Sequence, residues 1–327
     1  MHRCLGLAER GRGSTGINPM VGALLVRKGR IIAEAWHEVF GGPHAEAMLI
    51  KKFDQKFLPD DGLYLNLEPC SHTLKKTPPC TEMLISSGIK RVVIGCEDPN
   101  PKVAGRGVLE LRANGIEVIG PVNRAACEWL NRGFFSLMQR SRPWVTIKKA
   151  QTRGGAIAHE DGSMMKITDA DQDRWSHALL RAKHDAILVG VGTALSDDPR
   201  LTVRTFGNSN ACQPLRIILD PSVRISPSAT VVSPVYARGT ILIVADVKHS
   251  AGAQSTLSEL SARGVRIMKV PLRDDGSFVL PDLFRVLTTP APEFCGITSL
   301  LVEGGAVTWD AFTSTGAVDA MVTLVGA

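Results

Sequence analysis

One stretch of the chain holds residues that could bind a metal and move protons around it. Between Gly41 and Cys80 lie Pro43-His44-Ala45-Glu46, Glu68-Pro69-Cys70-Ser71-His72 and Thr77-Pro78-Pro79-Cys80. An imidazole and two thiolates suit zinc, which takes nitrogen and sulfur ligands in a tetrahedron. Three protein ligands, His44, Cys70 and Cys80, leave the fourth position for water, as a catalytic site requires. Glu46 follows the imidazole by two residues and can reach that water without being a ligand. The blander readings are a structural zinc site or unconnected thiols. Structural sites usually use four protein ligands, often from C-x2-C pairs. Here nine residues separate Cys70 from Cys80, and His72 is the extra candidate ligand.

The order His-x-Glu, then Pro-Cys, then Cys is the signature of hydrolytic zinc deaminases. In that chemistry hydroxide attacks the ring carbon bearing an exocyclic amine. The glutamate passes protons to the ring nitrogen and then to the departing amine. The wide gap between the cysteines departs from the short P-C-x-x-C of nucleoside and nucleic-acid deaminases.

The elements that must carry these residues follow from pattern. Residues 1–12 read as a short helix, and Val21–Val26 and Ile31–Trp36 as strands joined at Lys28-Gly29. A helix follows Pro43, with further strands at Leu63–Leu67, Arg91–Gly95 and Ile116–Ile119. Helices are expected at Cys80–Ser87, Ala104–Asn114 and Arg124–Met138. This is a mostly parallel sheet covered by helices, with the candidate ligands at strand ends and helix starts. A helix start at Cys80 favours the thiolate of that residue. Gln139–Pro143 is polar and ends in proline, so residues 1–140 and 144–327 are expected to form separate domains. In the second, strands are expected at Trp144–Ala150, Ala186–Val191, Leu215–Leu219, Thr240–Ala245, Val265–Val270, Ser299–Val302 and Val318–Val325. Helices are expected at Gln172–Ala182 and from Gly304-Gly305 to Ser314, and a loop over Thr193–Arg204.

Whole-chain numbers narrow the function. With 327 residues, 44% hydrophobic and 21% charged, the composition is that of a globular protein of more than one domain. No apolar run reaches membrane-span length, and Met1–Arg12 lacks the apolar core of a signal peptide, so the cytoplasm is expected. The net charge of +6 is mild and unclustered, which argues against nucleic acid and suits a phosphorylated small molecule. The seven cysteines are scattered and read as reduced thiols apart from the metal ligands.

With these motifs in hand, the chain resembles the bifunctional riboflavin-biosynthesis deaminase–reductases. The resemblance rests on Asn18-Pro19-Met20-Val21-Gly22, His44-Ala45-Glu46, Leu67–His72, Thr77–Cys80 and Asp98–Gly107 in the first half. In the second half it rests on Leu180-Arg181-Ala182, Asp197-Asp198-Pro199, Leu201–Arg204 and Val302–Gly305. It implies a cytidine-deaminase-like three-layer α/β/α domain followed by a dihydrofolate-reductase-like α/β domain that is C-terminally short. The first would deaminate 2,5-diamino-6-(5-phospho-ribosylamino)pyrimidin-4-one with zinc. The second would reduce the ribosyl group to ribityl with NADPH. The resemblance further implies that Asn18, His37 and His72 face the base or ribose, and that Lys76 (or Lys75), Asp98 and Asn100 hold the ribosyl phosphate end. Lys148, Arg181, Leu201, Arg204 and Glu303 would contact the substrate of the reductase. Ala150, Thr193, Asp197 and Gly304-Gly305 would contact NADPH, and self-association is implied as well. A Gly-Gly pair opening a helix suits a phosphate, and Arg181 with Arg204 could clamp one. Two segments depart from the family pattern, Thr152-Arg153-Gly154-Gly155 and Gly162–Thr168, and the pattern continues some forty residues past Ala327. The alternatives are a deaminase with a degenerate second domain, a nucleic-acid deaminase, and a zinc-stabilised binding protein.

Overall fold

A computed structural model describes residues 1–71, 79–101, 103–157, 159, 165–204 and 212–326. The chain divides into two compact units, Met1–Ser141 with Pro290–Gly296, and Arg142–Thr289 with Ile297–Ala327.

In the first unit α1 (His2–Ala8) lies against β1 (Gly22–Arg27). Cys4 and Leu7 are buried on Leu24, and a Cβ on Gly22 would run into the Cys4 carbonyl oxygen. A larger residue at position 22 would therefore hold the helix off the strand. β1 turns into β2 (Arg30–Trp36) through Lys28 and Gly29, both at positive φ, 47° and 75°. Those angles match the tight hairpin turn that follows the twist of its strands. The chain continues through α2 (Ala45–Lys52), β3 (Gly62–Leu65), α3 (Cys80–Ser87), β4 (Arg91–Ile94), α4 (Arg106–Ala113) and β5 (Glu117–Ile119). Among the described residues these strands form one sheet, ordered β2-β1-β3-β4-β5. β1 is antiparallel to both its neighbours, whereas β3, β4 and β5 run parallel. Ala23, Leu25, Leu63, Leu65, Val92 and Ile94 supply the core, together with Leu49 from α2 and Leu84 from α3.

The single helix expected over Arg124–Met138 is two, α5 (Arg124–Leu130) and α6 (Arg132–Arg140), broken at Asn131. Asn131 has left helical geometry, with φ −99° and ψ 19°. Its buried side chain instead serves a distant loop, described below.

The second unit runs β6 (Trp144–Gln151), α7 (Ala170–Leu179), β7 (Ala186–Gly190), α8 (Val191–Asp197), β8 (Leu215–Leu219) and β9 (Thr240–Ala245). It continues with α9 (Ala251–Ala262), β10 (Arg266–Val270), α10 (Leu280–Thr288), β11 (Ser299–Val302), α11 (Ala306–Thr313) and β12 (Ala320–Val325). Its sheet is ordered β10-β9-β8-β7-β11-β6-β12, with every pairing parallel. The C-terminal ends of β6, β7 and β11 therefore lie along one edge, where open α/β sheets place their ligands. The expected loop over Thr193–Arg204 begins instead with α8. Gly192 and Thr193 are poor helix formers, but burial of Val191 and Ala194 in the core offsets that cost. α10 carries Leu280, Leu283, Phe284 and Leu287 on its buried face, the spacing of an amphipathic helix. Among the described residues no helix is long and apolar enough to cross a membrane.

Candidate active site

Two helix starts and one turn bring the candidate zinc ligands together. His44 is the residue before α2, Cys80 is the first residue of α3, and Cys70 lies beyond the end of β3. The three offer ligand atoms within 4.8 Å of one another. His44 Nδ1 is 3.3 Å from Cys80 Sγ and 3.6 Å from Cys70 Sγ. The Cys80 backbone N–H donates to Cys70 Sγ at 3.5 Å. A cluster of one imidazole nitrogen and two sulfurs at this spacing fits zinc.

A hydrogen bond from the Cys80 thiol lowers the Cys70 thiol from its ordinary range, against the pull of burial and aided by His44 and the Cys80 N–H. Cys80 is pushed up by the same bond and by its burial. The N–H at the start of α3 favours negative charge on Cys70, to which it donates.

Glu46 is buried in the first turn of α2. Burial raises its carboxyl above the ordinary range, and the charge of His44 only partly opposes this. Glu46, His44 and Cys70 line a cavity of about 180 Å³, together with Asn18, His37, Asp98 and Asn100. The His37 ring is fixed at both nitrogens. Nδ1 donates to the Pro43 carbonyl at 2.9 Å, and Nε2 faces Asn18 Nδ2 at 3.1 Å. Its edge meets the His44 ring, with centroids 5.6 Å apart. Asp98 Oδ1 accepts the Asn100 N–H at 2.8 Å, a turn closed by a side chain. His72 and Lys76, and with Lys76 its alternative Lys75, lie outside the described residues.

The sequence did not point to the residues that hold this wall in place. Asn131 Oδ1 accepts the Met20 N–H at 2.8 Å, and its Nδ2 donates to the Met20 carbonyl at 3.0 Å. Asn66 Nδ2 donates to the same carbonyl at 2.9 Å, while its Oδ1 accepts the Gly22 N–H. These contacts fix the segment after Asn18 from two distant points in the chain.

In the second unit Arg181 and Glu303 form a two-pronged ion pair, Nε to Oε1 at 2.8 Å and Nη2 to Oε2 at 2.6 Å. Lys148 Nζ lies 4.0 Å from Glu303 Oε2. Burial alone would raise the Glu303 carboxyl, but Arg181 and then Lys148 outweigh it and hold it at about 2. Because the Arg181 fork is occupied by Glu303, a phosphate clamp by Arg181 and Arg204 is not the arrangement seen. Arg181 Nη1 also donates to the Thr202 carbonyl at 3.0 Å. The Arg204 N–H donates to His177 Nδ1 at 2.9 Å, and Gln213 pairs with both the N–H and the carbonyl of Val203. Leu201, at φ 48°, turns its side chain into the core. Arg204 was expected from the sequence as a substrate contact, whereas His177 and Gln213 were reachable only as isolated polar residues.

Ala150 is half-buried on β6, and Asp197 is exposed at the end of α8, accepting from Ser196 Oγ. Thr193 Oγ1 lies 4.0 Å from where a Gly305 Cβ would stand. A Cβ on Gly304 or Gly190 would press on Thr308, so these glycines let the first turn of α11 approach β7 closely. That geometry leaves the start of α11 beside Thr193 and the end of β11.

A family model for the RibD C-terminal domain matches residues 143–326, more than half of the chain. The riboflavin biosynthesis protein RibD of Aquifex aeolicus is 38% identical over 99% of this chain and 85% of its own length. The chain belongs to the RibD family. RibD of Bacillus amyloliquefaciens is similar too, 36% identical over 98% of this chain and 81% of its own length. A second model, for the cytidine and deoxycytidylate deaminase zinc-binding region, matches residues 1–96. Among solved structures, Acinetobacter baumannii RibD in its form 2 superposes with a TM-score of 0.80 at 31% identity, covering 99% of this chain and 84% of that one. The Thermotoga maritima diaminohydroxyphosphoribosylaminopyrimidine deaminase/5-amino-6-(5-phosphoribosylamino)uracil reductase gives 0.75 at 36% identity, covering 96% and 82%. Both RibD halves are thus represented, and the α/β architecture of each unit is that of its RibD relatives. The zinc-binding match encloses His44, Glu46, Cys70 and Cys80 but ends before Asp98 and Asn100. The RibD C-terminal match encloses the Arg181–Glu303 pair and the Gly304-Gly305 turn.

Proposed function

We propose that the chain catalyses two successive reactions of riboflavin biosynthesis. The first unit deaminates 2,5-diamino-6-(5-phospho-ribosylamino)pyrimidin-4-one by hydrolysis. The second reduces the ribosyl group of the product to ribityl with NADPH. The observation that carries the reading is the grouping of His44 Nδ1 and the two sulfurs beside a buried Glu46 on one cavity. His44, Cys70 and Cys80 would hold zinc, which when bound supplies a water acidic enough to react near neutral pH.

The chain's own groups do the rest. Glu46 takes a proton from the attacking water and delivers it to the pyrimidine ring nitrogen; it then takes a second proton from the hydroxyl added to the ring carbon and gives it to the amine, which leaves as ammonia while that carbon becomes a carbonyl. Asn18 and His37 orient the base, with His37 locked in one tautomer by Pro43. Asp98 and Asn100 receive the ribosyl phosphate end. The region 72–78, with His72 and Lys76, belongs to the same reading. In the second unit Lys148 and the Arg181–Glu303 pair face the sugar, and Leu201 contributes its backbone. The start of α11, with Thr193, Asp197 and Ala150, takes NADPH, since free helix N–H groups attract phosphate. NADPH, when bound there, would supply the hydride that reduces the ribosyl carbon, with a proton taken up at the sugar oxygen.

The test is to incubate the zinc-loaded enzyme with the diaminopyrimidine substrate, with and without NADPH. Ammonia release in both cases, with NADPH oxidised in the second, is expected. No ammonia from a protein with its zinc in place would overturn the first assignment. Ammonia without NADPH oxidation would overturn the second and leave the deaminase with a degenerate second unit.

A further inference from the structure

Glu68 takes no part in the chemistry above, although it precedes Cys70 by two residues. It is 3% exposed, and its carboxylate is engaged by backbone. Oε2 accepts the N–H of Asp98 at 3.1 Å and of Gly105 at 2.9 Å, while Oε1 accepts the N–H of Val108 at 3.1 Å. Asp98 begins the loop that leads to α4, Gly105 caps that helix, and Val108 lies in its first turn. N–H groups at a helix start lack intrahelical partners and favour negative charge. One carboxylate therefore fastens both ends of the 98–105 segment. The approach is close, because a Cβ on Gly107 would run into the Pro69 carbonyl oxygen.

We propose that Glu68 is a positioning residue for deamination: it sets Asp98 and Asn100 against the sugar-phosphate end of the substrate from the same turn that presents Cys70 to zinc. This rests on the reading that Asp98 and Asn100 face the substrate. The turn Glu68-Pro69-Cys70 then fixes the distance between the reacting carbon and the anionic end of one ligand. Asp98 in turn orders Asn100 through the bond from the Asn100 N–H. A glutamine at position 68 keeps the shape but replaces one acceptor oxygen by an NH2 group, which must face at least one backbone donor.

The experiment compares Glu68→Gln, Asp98→Asn and Asn100→Ala in the full-length, zinc-loaded enzyme. Its readouts are KM and kcat for ammonia release, zinc content, and amide hydrogen exchange. For Glu68→Gln, KM is expected to rise about tenfold with kcat within about twofold of the parent, as for loss of ground-state placement. Zinc content stays at the parent level, and exchange accelerates at Asp98, Gly105 and Val108. Unchanged KM in Asp98→Asn and Asn100→Ala overturns the underlying reading and the proposal with it. Raised KM in those two, with parental KM in Glu68→Gln, overturns the proposal alone. Where Glu68→Gln loses zinc or its cooperative unfolding, Glu68→Asp, which keeps the charge, is the deciding variant. Partial return of KM with zinc bound supports positioning. Loss of zinc in both variants assigns Glu68 to the fold of the metal site and overturns the proposal.

Discussion

At the scale of single residues, Glu46 shows how position in the fold makes an ordinary side chain reactive. It sits in the first turn of a helix, two residues after His44, with almost no exposure. Burial raises its affinity for a proton, which suits a group that must take one and give it back. Glu46→Gln preserves size and removes that capacity. It is expected to retain zinc at the parent stoichiometry and to lose deamination by about 10²–10⁴-fold. Metal analysis alongside an ammonia assay checks both parts, and turnover near the parent rate would remove Glu46 from the proton path. The grouping of His44, Cys70 and Cys80, with Glu46 on the same cavity, was legible in the sequence because the proposed roles need rare residue types at a characteristic spacing. The backbone support for charge on Cys70 was not legible. That depends on a backbone N–H ten positions from Cys70, brought to it only by the fold.

At the scale of elements, the strands and the hairpin could be read from apolar runs and from Lys28-Gly29, since those signals are local. α9 and α10 were not among the expected helices although the apolar spacing of α10 is local; the other misses were long-range. Residues 124–138 read as one helix because nothing local marks Asn131 as a break, and its partner Met20 lies 111 positions away. α8 was hidden for the converse reason: its helical state comes from burial of Val191 and Ala194, not from the propensity of its residues. The break at Asn131 has a function in the first unit. It turns a polar side chain onto both backbone groups of Met20, behind Asn18 in the cavity wall. Asn131→Ala leaves the half-buried Met20 N–H without that acceptor, whereas Asn66 still serves the Met20 carbonyl. The expected loss is about 1–3 kcal/mol of stability, read from denaturant unfolding, with a raised KM for the pyrimidine. A stability unchanged within error would mean that the break at Asn131 is a consequence of the loop's position and does not fix it.

At the scale of the whole molecule, two units with their own cores need not respond alike to acid. The second unit carries two groups shifted in the direction that makes acid destabilising. His177 is held down to about 4 from 6.5, first by burial and then by Arg181 and Arg204, with Glu303 and Asp173 opposing. Its Nδ1 must stay unprotonated to accept the Arg204 N–H. Between pH 6.5 and 4 the unfolded chain binds a proton there that the folded chain refuses, so stability falls as the pH falls. Glu303, held at about 2 against an ordinary 4.5, contributes stability that is complete above 4.5 and is lost on the way down to 2. The two windows follow one another and place the onset of acid loss near pH 6.5, well above the carboxylate range. The contribution of His177 at pH 5 is roughly 1–2 kcal/mol, allowing for solvent screening. In His177→Gln the glutamine oxygen can still accept from the Arg204 N–H but does not titrate. Denaturant midpoints of the parent, followed by a probe in the second unit, should fall between pH 7 and 5, and those of the variant should stay nearly level until the Glu303 window opens. Parallel pH profiles for the two proteins would remove His177 as the source of the early loss and leave the Arg181–Glu303 pair alone to set the acid limit of that unit.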